Sequence, residues 1–264
     1  MADFAIAAPV PRRAVFRRGM LATLASEMLV LVREPSVIVF TLVQPLLLLL
    51  ILSAFNFHVR DAAGHMRSYV DVLLPGLIAL NGLTIGFNSV TFGLARYKQR
   101  GILRRLRTTP LPTAAFLSGA IVARLLLVIV ATAITYAAGV WLFGAHVDGN
   151  VALLFLLATL GALVFIALGI LVVAFARTED DLPPMFTLVL FPSLLFSGAL
   201  LDRSGLPNWL HWLTGGLPLT FLTHAEQQVS NLNAGLAAIK GDLLGLVVWG
   251  IVAAALATWR FRLA

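Results

Sequence analysis

Residues 96–112 read RYKQRGILRRLRTTPLP, and the organisation of the whole chain follows from this stretch. It contains six basic residues and no acidic residue, and a long apolar run lies on each side of it. A segment with so many charges cannot lie in hydrocarbon and must face water. Because cytoplasmic loops of membrane proteins carry an excess of Lys and Arg, the stretch is predicted to lie in the cytoplasm.

The composition is that of a membrane protein. Of the 264 residues, 60% are hydrophobic and only 12% are charged, whereas soluble domains carry about 25% charged residues. The net charge of +7 resides in short loops beside apolar runs, as membrane topology requires, so nucleic-acid binding is not predicted. The chain has no cysteine, which excludes disulfides and thiol catalysis.

The apolar runs predict an all-α integral membrane protein with six transmembrane helices in one domain, residues 1–264. An amphipathic helix at 12–33, with Glu27 on its polar side, is predicted to lie in the inner interface. An outer re-entrant helical hairpin is predicted at 201–237. The fifth span is short, because it provides only about 24 Å of helix. The predicted spans are 36–57, 71–95, 113–143, 151–176, 185–200 and 238–259.

The distribution of basic residues orients these spans. With both termini in the cytoplasm, 14 basic residues lie inside and four lie outside, which is a strong asymmetry. Arg124 falls within the third span. Its side chain is interpreted as snorkelling toward the cytoplasmic headgroups, and a buried functional charge is the alternative.

The second span carries four polar residues at three- and four-residue spacing, which places them on one helical face: Asn81, Thr84, Asn88 and Thr91. Gly82 and Gly86 form a GxxxG pair beside that face. The polar face is interpreted as helix packing through interhelical hydrogen bonds, or as the lining of a substrate path. The candidate residues for a substrate path or subunit seam are Gln44, Asn81, Thr84, Asn88, Thr91, Ser193 and Ser197.

No motif indicates catalysis, a metal or a cofactor in this chain. There is no Walker A loop and no constellation of catalytic side chains, so the chain is not expected to be an enzyme. The acidic run Glu179–Asp180–Asp181 is a weak metal signal, because no histidine is nearby. Asp181 precedes Leu-Pro-Pro and is predicted to cap the following helix.

Residues 99–112, QRGILRRLRTTPLP, resemble the signature loop of ABC-2 type transporter permeases, with the drug-export branch that includes daunorubicin-resistance permeases as the nearest group. A second similarity runs from Phe191–Pro192 to Ser197–Gly198 and continues through 205–210 and 218–221. Three positions depart from the family pattern: Gln99 replaces a usual Glu, Asp202 a common proline, and Phe221 the usual tyrosine.

The resemblance implies the membrane-spanning permease subunit of an ATP-driven exporter in a bacterial inner membrane, which moves an amphipathic small molecule such as a drug, antibiotic or secondary metabolite. It implies two copies of a separate ATPase, which would hold ATP and Mg²⁺, and a second permease subunit, identical or related. Residues 96–112 would then be the coupling segment. The alternatives are export of a lipid or lipid-linked glycan, a stand-alone secondary transporter, or a membrane immunity or scaffold protein.

The same resemblance implies roles for individual residues. The residues that would couple to the ATPase are Gln99, Arg100, Gly101, Leu103, Arg104, Arg105, Leu106 and Arg107. The residues that would form an outer gate are Pro192, Gly198, Pro207, Trp209, Pro218 and Phe221.

Overall fold

Helices account for most of the described chain. The computed structural model describes residues 12–33, 35–54, 58–60, 66–99, 101–102, 108, 111–199 and 215–262. A π-helical turn, Thr84–Asn88, joins helices α3 and α4, and strands β1 (His58–Arg60) and β2 (Met66–Ser68) pair antiparallel. The helices are α1 (Arg12–Arg33), α2 (Pro35–Ser53), α3 (Tyr69–Leu83), α4 (Ser89–Gln99), α5 (Thr113–Trp141), α6 (Val151–Phe175), α7 (Leu182–Phe196), α8 (Pro218–Leu232) and α9 (Lys240–Arg262).

Four helical stretches among the described residues are long and apolar enough to cross a membrane: Tyr69–Gln99, Thr113–Trp141, Val151–Phe175 and Lys240–Arg260. Two shorter apolar helices, Leu42–Ser53 and Leu182–Phe196, lie where the first and fifth spans are predicted. The helical membrane fold is therefore confirmed, while the count of six spans stays a prediction. Much of the predicted outer hairpin, residues 201–214, lies outside the described residues.

The long stretch Tyr69–Gln99 is the axis of the bundle. Within its most apolar part 89% of the residues are buried, against 17% for Lys240–Arg260. Helix α3 packs against α2, α5, α6 and α8, whereas α9 packs on α6 and α8. The hydrophobic core accordingly surrounds α3, and α9 leaves most of its apolar surface for lipid.

Small residues allow the axis and α6 to approach closely. A Cβ atom added at Gly86 would lie 2.8 Å from the Ala162 carbonyl oxygen, and one at Gly82 would lie 3.4 Å from that of Ala158. Both positions face backbone, so a larger side chain would separate the helices. The GxxxG pair therefore serves helix packing, which agrees with one of the two interpretations of this region.

Helix α1 lies against α5, and a glycine permits the contact. A Cβ atom added at Gly119 would lie 2.5 Å from the Met20 carbonyl oxygen and 2.8 Å from Thr23 Cβ. Thr23 is buried at this crossing, and its hydroxyl donates to the Gly19 carbonyl oxygen at 2.9 Å. One side of α1 is thus packed on protein.

We expect Gly119→Ala to destabilise the protein, although alanine is more favourable than glycine within a helix by about 1 kcal/mol. The added methyl group overlaps the α1 backbone, and such overpacking costs about 1–3 kcal/mol. Gly241→Ala is the control, because a Cβ atom at that position in α9 meets no atom within 4 Å. Thermal unfolding in detergent should show a lower midpoint for Gly119→Ala only, and equal midpoints would contradict the packing role.

Candidate functional site

The π-turn changes the direction of the polar face on the second predicted span. In a regular α-helix, residues 81, 84, 88 and 91 would share one face. The wide turn at Thr84–Asn88 rotates the residues that follow it. Asn81 and Thr84 line a cavity with residues of α2 and α7, and Asn81 also reaches Thr135 of α5. Thr91 is instead fully buried, with its hydroxyl close to Gly169 of α6.

A small cavity lies where α2, α3 and α7 meet. Its polar lining comes from Gln44, Asn81 and Thr84, and the remainder is apolar, from Pro45, Leu48, Leu77, Leu80, Leu190 and Leu194. Its volume is about 30 Å³. That is enough for water but far below the roughly 300 Å³ at which ligand pockets begin. In this arrangement the cavity is closed to a drug-sized molecule.

Three of the seven predicted path residues therefore meet, and each has a defined environment. Asn81 Nδ2 donates to Thr135 Oγ1 on α5 at 3.0 Å, and both groups are buried. Thr84 Oγ1 donates to the Leu80 carbonyl oxygen at 2.9 Å. Gln44 is exposed at the side of the cavity. The site thus has one fixed amide and one exposed amide around an apolar pocket.

The other four predicted path residues do not line this cavity. Asn88 is half-buried within the π-turn, and the Thr91 hydroxyl donates to the Phe87 carbonyl oxygen at 2.6 Å. Ser193 and Ser197 are buried at the end of α7, where Ser197 Oγ accepts from the Ala199 backbone N–H at 3.2 Å. Their role in a path stays a prediction.

Four of the six predicted outer-gate residues lie in the described chain, in or beside α7 and α8: Pro192, Gly198, Pro218 and Phe221. Pro192 lies within α7, and the Gly198 carbonyl oxygen accepts from Gln227 Nε2 at 3.0 Å. Pro218 begins α8, and Phe221 packs against Gly245 of α9. Pro207 and Trp209 lie outside the described residues, so the structure does not test the gate.

The predicted coupling residues begin where α4 ends. Gln99 is the last residue of α4 and is exposed. Gly101 has φ +67°, and its N–H donates to the Lys98 carbonyl oxygen at 3.2 Å, so this glycine closes α4 as a left-handed cap. The remaining predicted coupling residues lie outside the described chain: Arg100, Leu103, Arg104, Arg105, Leu106 and Arg107.

A buried charge cluster lies at the same end of the bundle. Arg124 Nη1 of α5 donates to Glu27 Oε2 of α1 at 3.0 Å, and the Tyr97 hydroxyl of α4 donates to Glu27 Oε1 at 2.6 Å. Arg124 is 7% exposed and Glu27 4% exposed. Three helices that are distant in sequence are therefore joined by one carboxylate.

Two sequence interpretations are wrong at this cluster. Arg124 does not snorkel, because Glu27 neutralises its charge inside the protein, and Arg124 Nη1 also donates to the Ala120 carbonyl oxygen at 2.8 Å. Glu27 does not lie on a solvated face of α1. The hydrophobic pattern of α1 could not reveal that Glu27 is buried. The two charges can be buried only when they are paired, and Arg124 lies on a different helix.

A second buried carboxylate was missed by sequence reasoning. Glu226 on α8 is fully buried against α3 and shares a face with Thr223 and Ser230, which are also buried. The neighbouring apolar stripe of α8 is buried as well, through Leu222 and Val229. Helix α8 packs against α3, α6 and α9, which place this polar face inside the bundle.

Hydrogen bonds between the Asp181 side chain and backbone N–H groups fix the acidic loop before α7. The carboxylate of Asp181 accepts from the backbone N–H groups of Arg177 and Thr178, each at 2.9 Å, and these bonds hold the pKa of Asp181 below its usual value. Asp181 occupies the N-cap position of α7, but its side chain makes no cap hydrogen bond. The prediction that the Asp181 side chain caps α7 is therefore wrong. The carboxylate accepts from the preceding loop and not from the first turn of α7.

Comparison with known proteins identifies relatives over most of the chain. The sequence matches the profile of the family described as "ABC-2 type transporter" over residues 19–229. It is 28% identical over 168 residues to "ABC transporter G family member 20" of Dictyostelium discoideum, which covers 64% of this chain and 23% of that protein.

Two bacterial proteins are similar to the same degree. The chain is 27% identical over 191 residues to "Probable multidrug ABC transporter permease YbhR" of Escherichia coli (strain K12), which covers 72% of this chain and 52% of that protein. It is 27% identical over 167 residues to "Inner membrane transport permease YadH" of the same strain, which covers 60% of this chain and 61% of that protein. The chain therefore spans less than two thirds of the length of these relatives.

We expect Arg124→Leu to destabilise the protein by about 3–5 kcal/mol, because it leaves Glu27 charged, buried and unpaired. The double variant Glu27→Leu/Arg124→Leu should recover most of that loss, since no charge then remains in the apolar contact. Unfolding in mixed micelles measures the two variants against the wild type. Equal losses in the single and double variants would show that the ion pair does not determine the stability of this contact.

Proposed function

Because the chain belongs to the ABC-2 type transporter family, and is thus a multi-pass membrane permease of an ABC transporter, we propose that it forms the membrane-spanning subunit of an exporter. The exporter moves an amphipathic small molecule out of the cell, and ATP is hydrolysed on a separate ATPase chain. The observation that carries the proposal is the polar cavity of Gln44, Asn81 and Thr84 beside the π-turn of the central helix.

The lining of the cavity supports an amphipathic substrate. Its walls are leucine side chains of α2, α3 and α7, and its polar groups are two amides and one hydroxyl. No charged side chain lines it. Uncharged hydrogen-bonding groups on an apolar wall suit a molecule with a large apolar part and a few polar groups. The relative YbhR of Escherichia coli, named as a probable multidrug permease, agrees with this class of substrate.

A second permease subunit, identical or related, completes the path. The cavity of about 30 Å³ is too small for such a substrate within one subunit. Beside it, large apolar side chains of α2 and α7 are exposed: Val43, Leu47, Leu50, Ile51, Leu188, Phe191 and Leu195. A partner copy packed on this surface would place two such cavities on either side of one seam, and separation of the copies would enlarge the space between them.

The coupling segment provides the connection to the ATPase. Residues 96–107 carry six basic side chains, and a basic helix or loop is suited to docking on acidic groups of a nucleotide-binding subunit. The segment begins in the last turn of α4, and α4 is joined through the π-turn to α3. Closure of two ATPase copies, which hold ATP and Mg²⁺, would therefore move the axis of the bundle as a rigid element.

The same charge distribution orients the protein. We place both termini and residues 96–112 in the cytoplasm and the turn between α8 and α9 outside, in a bacterial inner membrane. The excess of Lys and Arg in the central segment and near the two ends supports this orientation.

The first test is co-expression with candidate ATPase chains. We expect the wild-type permease to co-purify with its ATPase and Arg104→Glu/Arg105→Glu to lose either this association or substrate-stimulated hydrolysis, because reversed charges repel an acidic docking surface. Arg13→Glu/Arg17→Glu is the matched control, since both residues are exposed on α1. Normal association and export by the first variant would refute docking through this segment.

The second test addresses the cavity. We expect Gln44→Leu and Thr84→Val to raise the substrate concentration that half-stimulates ATP hydrolysis by about threefold to tenfold, because each removes one hydrogen-bonding group from the lining. Thr159→Val is the matched control for Thr84→Val. Its hydroxyl makes the same kind of bond within its own helix, to the Phe155 carbonyl oxygen at 2.7 Å, but it does not line the cavity. If the cavity variants and the control need the same substrate concentration for half-maximal stimulation, the cavity is not part of the substrate path.

A further inference from the structure

Helices α4 and α6 end side by side, and the last residues of α4 touch the loop that follows α6. An apolar cluster joins the two ends and the start of α7: Leu94, Ala95, Val173, Ala176 and Leu182. Above this cluster, Lys98 Nζ donates to the Ala176 carbonyl oxygen at 3.4 Å, at the C-terminus of α6. A cation at that position satisfies a carbonyl group that the helix leaves without a partner.

The loop 176–181 has a defined shape at this contact. Asp181 binds the backbone N–H groups at the start of the loop, as described above, and the Leu182 N–H donates to the Glu179 carbonyl oxygen at 3.0 Å. These bonds close the loop on itself. Glu179 therefore projects from a fixed backbone rather than from an extended linker.

Gln99 and Glu179 form a two-point contact across the gap. With the Gln99 amide oriented to satisfy both partners, its nitrogen donates to Glu179 Oε1 at 3.0 Å and its oxygen accepts from the Glu179 backbone N–H at 2.9 Å. Only a side chain with both a donor and an acceptor can make the two bonds. Glutamine has both groups, whereas an ionised glutamate has acceptors alone.

This contact gives a physical reason for the departure at position 99. A glutamate there would bring its carboxylate to about 3 Å from that of Glu179, and two carboxylates so close cannot both stay ionised. Glutamine at position 99 and glutamate at position 179 are therefore a matched pair. Exchanging the two residue types would preserve both bonds, because the amide at position 179 would donate to the carboxylate at position 99, and that carboxylate would still accept from the backbone N–H.

We propose that Glu179 is a positioning residue that acts through Gln99 to hold the first turn of the coupling segment against the loop 176–181. The segment then moves α6 and α7 together with α4. The inference rests on the proposed function, in which residues 99–107 contact an ATPase. Loss of the pair removes two of the bonds that join the end of α4 to the loop between α6 and α7.

The position of the loop is measured first, in the full-length permease without its ATPase. The chain has no cysteine, so Ile102→Cys and Asp180→Cys allow two spin labels to be placed across the contact. We expect a narrow distance distribution, a broader and longer one with Gln99→Glu, and recovery of the narrow distribution with Gln99→Glu/Glu179→Gln. Gln228→Glu makes the same chemical change at the opposite end of the bundle and should leave the distances unchanged.

Transmission is measured next, in the complex with the ATPase. We expect Gln99→Glu to lower the ratio of substrate-stimulated to basal hydrolysis by about threefold to tenfold while the complex still forms, as the loss of a hydrogen-bonded contact predicts. The exchanged pair should restore the ratio. Stability alone cannot produce this pattern, because a folding defect would also lower the yield of complex.

The outcomes separate this inference from the function on which it rests. Identical distance distributions in wild type, Gln99→Glu and the exchanged pair would overturn the positioning role whatever the ATPase does. Altered distances with an unchanged hydrolysis ratio would overturn the transmission role. A wild-type permease that binds no ATPase would instead refute the proposed function, with the distance measurements still deciding whether the pair positions the loop.

Discussion

The position of α1 and of the start of the coupling segment depends on the buried ion pair between Glu27 and Arg124. Neither charge is tolerable alone in an apolar bundle, and together they are stable only while their hydrogen bonds are kept. Glu27 also accepts from Tyr97, which lies two residues before the end of α4. One carboxylate thus holds α1 on α5 and holds the end of the central helix between them. Gly119 permits this geometry, because the α1 backbone passes where a side chain would lie.

The π-turn is the second constraint, since it gives the two halves of the central helix different neighbours. Before the turn, Asn81 and Thr84 face the cavity with α2 and α7. After it, Thr91 is packed near Gly169 on α6, and Leu94 joins the cluster that supports the loop before α7. A regular helix would align these residues on one side. π-turns are frequent at functional sites, and here the turn separates a polar cavity from a packing surface.

Much of the fold was predictable from the chain, and the failures share one cause. Apolar runs predicted the long membrane helices because this signal is local. The second span, predicted to end at residue 95, continues as helix to Gln99. Glu27, Arg124 and Glu226 were misread or missed because burial of a charge depends on partners that are distant in sequence. The π-turn could not be predicted, because the spacing of the polar residues in the second span fits a regular α-helix equally well. The significance of Gln99 was recognised from the family pattern, but its partner Glu179 became evident only in three dimensions.

The contact at Gln99 and the cavity are linked by the geometry of α7. Helix α7 begins at Leu182, directly after the loop that Gln99 touches, and its residues Leu190 and Leu194 form one wall of the cavity. Those residues lie about 12 and 18 Å along the helix from its start. The opposite wall includes Asn81 and Thr84 of the stretch that ends at Gln99. Both walls therefore start from the same point beside the coupling segment. Under the proposed coupling, a displacement there would change the angle between the two helices, and the space between them would change most at the far end, where the cavity lies.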